Sequence, residues 1–205
     1  MKYSKWTIIF VCFFLSYSCE KENNEKEITP QFQFIAGEVS SNINYVDFEP
    51  DRLLLPELNN SPFIFIDLFN DNSWDFKIVS SWEASHPGIW EDIYISNSYC
   101  NYFEVAIDTT LSELNYYGVF AKIFTKGDTL NSNEHNWINK ERVFLNSTYN
   151  GNTIGPWINQ KDKYIGIRNI IEQDTIYSWV RFSNSEENSN ALICHDYAYV
   201  GLEKN

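Results

Sequence analysis

Lys163-Tyr164-Ile165-Gly166-Ile167-Arg168-Asn169-Ile170-Ile171, then Glu172-Gln173-Asp174, then Thr175-Ile176-Tyr177-Ser178-Trp179-Val180-Arg181-Phe182, decides how the chain folds. Both runs alternate apolar and polar residues, and a short polar turn separates them, the pattern of an antiparallel hairpin. With a period of two, Tyr177, Trp179 and Arg181 share one face, and Ile176, Ser178, Val180 and Phe182 share the other. A polar turn over Asn184 to Asn190 follows, and Ala191 to Val200 reads as a closing strand.

The same signals recur upstream. Gln31 to Phe34 alternates. Pro62 to Phe69 enters a turn at Asn70-Asp71-Asn72-Ser73, and Trp74 to Val79 returns as its partner. Ile93 to Ile95 and Tyr102 to Ile107 are further short strands. Leu111 to Phe124 is strand or helix. Lys126-Gly127-Asp128 is a turn, Glu134 to Asn139 is loop-like around Trp137, and Gly151 to Lys163 is a long connection. The sum is about nine or ten strands without an internal repeat. That pattern predicts an all-β fold with few short helical turns, and two stacked antiparallel sheets are the natural way to bury it.

The run Tyr-Ile-Gly-Ile-Arg, a turn, Ile-Tyr-Ser-Trp-Val-Arg and a final Asp196-Tyr197-Ala198-Tyr199 resembles the C-terminal signature of Bacteroidetes-type secreted and lipid-anchored β-sandwich proteins. Ser178 stands where that group usually has Gly. Ile66 to Phe76 looks like the group's Asp-rich hairpin, and Lys126 to Leu130 like its Lys-Gly-Asp-Thr-Ile turn. The likeness is carried by short motifs scattered over residues 62–200. It implies a jelly-roll-like sandwich and no established activity.

The N-terminus supplies the address. Lys2 and Lys5 precede the apolar stretch Trp6 to Leu15, about ten residues, half the roughly twenty needed to span a bilayer. This is the layout of a signal peptide. Ser16-Tyr17-Ser18-Cys19 resembles a lipobox, with Tyr17 a departure from its tidiest form. Residues 1–18 are thus an expected signal, and Cys19 an expected lipidation point that attaches the chain to a membrane. Glu20 to Glu27 holds no apolar residue and reads as a disordered tether within residues 19–30. An acidic run behind the acylated Cys resembles a surface-export signal, placing the protein on the outer membrane, exposed at the cell surface or facing the periplasm. Residues 31–205 form the one expected domain.

Of 205 residues, 15 are basic and 28 acidic; loss of Lys2 and Lys5 with the signal takes the net charge from −13 to −15. Such a surface repels phosphate backbones and excludes nucleic acid as a partner. Cys100 and Cys194 remain in the domain, as a disulfide permitted by an oxidising compartment or as two free thiols.

Candidate chemistry is sparse. Asp67, Asp71 and Asp75, with Asn70, have the oxygen-rich spacing of a calcium loop. Phe69 occupies a usual ligand position, however, and Asn72 replaces the expected Gly. A hairpin turn whose Asp and Asn side chains bond their own backbone is the competing and favoured account. His86, His135 and His195 show no zinc spacing. Cys194 and His195 adjoin, but strand neighbours point to opposite faces, so they are not a nucleophile pair. Glu91-Asp92 and Glu186-Glu187 read as solvated loop acids. Two Trp, Trp82 and Trp90, fall in the turn-rich Ser81 to Trp90 segment, where they could stack on sugar rings or cap the core; Trp137 and Trp157 lie in similar loops. No catalytic residue is identified. The expectation is a non-enzymatic anchored domain, structural or binding a glycan or surface protein. The alternative is a carbohydrate-active enzyme of jelly-roll type.

Overall fold

The computed structural model describes residues 33–58, 60–68, 74–85, 87–96, 103–112, 118–131, 134–171, 174–188 and 190–200. The strands are β1 (Ile43–Leu54), β2 (Phe63–Ile66), β3 (Phe76–Ser85), β4 (Gly88–Ser96), β5 (Phe103–Asp108), β6 (Phe120–Ala121), β7 (Asn136–Ile138), β8 (Arg142–Tyr149), β9 (Asn152–Ile154), β10 (Lys163–Ile171), β11 (Asp174–Asn184) and β12 (Leu192–Val200). One helical turn, α1 (Thr109–Ser112), follows β5. The fold is all-β.

The C-terminal hairpin forms as its alternation predicts. β10 and β11 pair without interruption from Lys163↔Phe182 to Ile171↔Asp174. Ile176, Ser178, Val180 and Phe182 are all buried, while Tyr177 and Arg181 on the other face are partly exposed. β12 then closes along β11.

The strands are not divided into two hydrogen-bonded sheets. They follow one path, β1-β12-β11-β10-β5-β6-β8-β4-β3-β2, with β7 paired to β5 and β9 to β8. Leu54 at one end of the path and Ile64 and Ile66 at the other join the same core cluster. The sheet therefore curls on itself into a nearly barrel-shaped body. Trp157 lies at its centre, fully buried, with its indole N–H donated to the Ala121 carbonyl at 3.3 Å.

A second core lies on the outer face of β10, β11 and β12. Tyr164, Trp179 and Ala198 are covered there by Phe34 and Ala36 from the N-terminal segment and by Phe124 and Leu130. Backbone bonds fasten this cover: Leu130 N–H to the Phe34 carbonyl at 2.8 Å, and Ala36 N–H to the Asp128 carbonyl at 2.9 Å. Gly166 makes room for it, since a Cβ there would stand 2.7 Å from the Leu130 side chain.

Three readings of the sequence are corrected. Ser81 to Trp90 is not a flexible loop; β3 and β4 pair through to Ser85↔Gly88. The loop-like segment around Trp137 contains β7, which pairs with β5. Glu91 and Asp92 are half-buried strand residues on opposite faces of β4, not loop acids.

Candidate functional site

The clearest site grows from an irregularity shared by β1, β11 and β12. Arg181 pairs with Asp196 and Phe182 with Cys194, so His195 is an extra residue bulged out of β12. In β1 the register jumps from Asp47↔Asp196 to Arg52↔Cys194, which leaves residues 48–51 spread opposite His195. The bulge lets His195 and Asp196 both face outward while Cys194 remains in the core. As an edge strand, β1 accommodates Pro50, which has no N–H to give a ladder.

His195 is bonded on both ring nitrogens. Nδ1 lies 2.8 Å from Asp51 Oδ2, and Nε2 lies 2.9 Å from Ser183 Oγ. Ser183 Oγ also accepts the Asp162 backbone N–H at 2.9 Å. A carboxylate can only accept from a ring N–H, so Nδ1 carries a proton in this arrangement, and in the neutral ring Nε2 accepts the Ser183 hydroxyl.

These three residues open on a surface groove of about 830 Å³. Leu53 and Ile193 contribute apolar walls, and Asn159, Gln160 and Asn184 contribute amides. Asp162, Glu186 and Glu187 add carboxylates, and Lys161 stands 4.0 Å from Glu186. Beneath the floor, Arg181 grips the buried Asp196 through Nε at 3.0 Å and Nη2 at 2.5 Å, and reaches Asp162 through Nη1 at 3.2 Å. Tyr45 donates its hydroxyl to the same Asp196 carboxylate at 2.8 Å. Partial burial and that carboxylate push the Tyr45 phenol up to about 12, so it stays a donor.

The residues singled out from sequence are dispersed. Trp82 pairs with Glu91 and Trp90 with Glu83, so the two rings lie on opposite faces of the β3–β4 ribbon and cannot form one platform. Trp90 instead packs on Tyr149 with ring centres 4.4 Å apart. Trp157 is core, and Trp137 packs in the second core under the Arg168 guanidinium, 4.8 Å above its ring. Asp75 is buried and accepts the Leu68 N–H at 2.5 Å across the β2–β3 hairpin. The carbonyl of Asp67 accepts the Tyr197 hydroxyl at 3.3 Å. Asn70 and Asp71 lie outside the described residues, as do Cys19, His86 and Cys100. Cys194 is a free thiol inside the core, where burial raises its pKa well above the usual cysteine range. It faces away from His195, as strand alternation requires.

Two features escaped the sequence. One is the Asp51 and Ser183 partnership with His195. The β11–β12 hairpin places Ser183 opposite Ile193 and diagonal to His195, so half of it was accessible from the polar turn between those strands. Asp51 has no such signal, because only the β1 irregularity brings it in. The other is an exposed aromatic patch on edge strand β2. Trp74, 56% exposed, stacks on Phe65 at 3.7 Å and 7°, and Phe63, 54% exposed, meets Phe65 edge-on. Comparison with known proteins finds no matching family model, curated protein or solved structure.

Proposed function

We propose that the chain is a lipid-anchored domain of the outer membrane, held through Cys19 and exposed outside the cytoplasm, that binds a hydroxyl-rich ligand of glycan type in the groove. The lining carries this reading. Amides at Asn159, Gln160 and Asn184 and carboxylates at Asp162, Glu186 and Glu187 surround one concavity, and together they donate to and accept from hydroxyls. The acidic excess disfavours polyanions and is neutral toward uncharged sugars. We also read the single strand path as a jelly-roll-like sandwich, with β1, β12, β11, β10 and β5 facing β8, β4, β3 and β2 across the inner core; the mixed membership of that core supports it.

A glycan array probed with the purified chain tests the binding. The double variant Glu186→Ala/Glu187→Ala is expected to bind any retained glycan about tenfold more weakly, the scale of 1.4 kcal/mol. Unchanged binding by that variant, with loss in Trp74→Ala, would move the ligand to the aromatic patch, and an array without retained glycans would end the glycan reading. For the anchor, labelled palmitate is expected to enter the wild type and not Cys19→Ala.

A further inference from the structure

Carboxylate, imidazole and hydroxyl stand in sequence at one end of the groove, Asp51 to His195 at 2.8 Å and His195 to Ser183 at 2.9 Å. We propose that Ser183 is a nucleophile activated by His195, and that the groove hydrolyses short, uncharged acyl esters of hydroxyl-rich alcohols. The alcohol half of this proposal rests on the binding reading above; the nucleophile does not.

The chemistry follows from the proton positions. With Asp51 holding the proton on Nδ1, Nε2 is the basic nitrogen, and it already faces the Ser183 hydroxyl. As Oγ bonds to the ester carbonyl carbon, its proton passes to Nε2. The carbon–oxygen bond to the alcohol then breaks, and the leaving oxygen takes that proton from Nε2. Water attacks the acyl-serine in the second half, giving one proton to Nε2, and the acid departs as Ser183 Oγ recovers the proton. Ester and water become acid and alcohol with no other reactant.

The surroundings fit that course. The Asp162 N–H, 2.9 Å from Ser183 Oγ, stands beside the reacting oxygen, where a donor could turn to a developing oxyanion. Asp162 holds a left-handed backbone, φ 49°, beside this N–H. Leu53 and Ile193 offer an apolar seat for an acyl chain, and Glu186 and Glu187 repel an anionic one. Ser183 is only 6% exposed, which places its oxygen at the groove floor rather than in open solvent. Asp51 bonds the imidazole at Nδ1 and is a positioning residue.

The test uses the purified full chain with p-nitrophenyl acetate and a biotinylated fluorophosphonate, the labelled residue being located by peptide mass spectrometry. Label on Ser183 of the wild type is expected, and this readout needs no variant. Ser183→Ala should lose hydrolysis above the buffer rate, and His195→Ala should lose about a hundredfold. Asp51→Asn should lower kcat on the order of tenfold with KM unchanged, and Asp51→Glu should recover part of it. Wild type that shows a folded β spectrum yet takes no label at Ser183 overturns the proposal, as does hydrolysis that survives Ser183→Ala. Acetate released from acetylated oligosaccharides supports the alcohol half, and labelling without such release overturns that half alone. Retained glycan with no label would overturn the nucleophile and leave the binding reading standing.

Discussion

Asp92 projects from the outer face of β4, where it accepts the Ser147 hydroxyl at 2.6 Å. Burial raises its pKa, and Glu83 adds to this, while the Ser147 bond and the Arg142 charge pull the other way. The folded state therefore holds this proton more tightly than the unfolded chain does. Stability falls as pH rises from the ordinary carboxylate value of about 3.9 through the raised folded value, because the unfolded chain ionises first. Above that window an ionised Asp92 detracts from the fold. Asp92→Asn keeps an acceptor for Ser147 and removes the charge. Its Tm is expected to exceed that of the wild type near neutrality, and the difference should close in acid below the ordinary Asp value. Melting curves followed by circular dichroism at the two extremes check this; an equal difference at both would contradict the account.

At the level of strands, β10 shows how a single missing side chain sets the packing of an element. Gly166 lies on its outer face, and an added Cβ would meet Leu130 at 2.7 Å and Phe124 at 3.2 Å, both fully enclosed. Gly166→Ala is expected to cost about 1–3 kcal/mol by overpacking, a Tm loss of roughly 2–4 °C per kcal/mol for a domain of this size. The β10–β11 hairpin was legible in the sequence because both strands are interior and bury one face against the large inner core. β1 was not, because it is an edge strand with Pro50 and a largely exposed set of side chains, so no apolar period develops. β8 hid for a different reason. Its register slips against β4 so that Leu145 and Asn146 both turn inward, which breaks the alternation. The turn-rich Ser81 to Trp90 segment concealed how far pairing extends, through to Ser85↔Gly88. The same logic divides the groove. Ser183 and His195 belong to one local hairpin, whereas Asp51 is 144 positions from His195 and reaches it through an irregular pairing that no residue pattern encodes.

For the whole molecule, two cores share one wall. Residues on β10, β11 and β12 alternate between the inner cluster and the outer one, so Ile165 and Val180 pack inward while Tyr164 and Trp179 pack beneath the N-terminal segment. Phe34 is the largest side chain that segment contributes, and it is fully buried. Phe34→Ala is expected to cost about 3–5 kcal/mol, measured by urea denaturation, with the β spectrum kept because the inner core is untouched. A loss under about 1 kcal/mol would mean the outer core is a loose cover rather than part of the cooperative unit.

The placement of that segment has a mechanical meaning. Residues 33–36 are the first described part of the chain. Tension entering there meets the Phe34–Leu130 and Ala36–Asp128 backbone bonds and the enclosed Phe34 ring before it reaches the sheet. The segment would act as a strain relief, giving way under load first and sparing the strands that carry the groove.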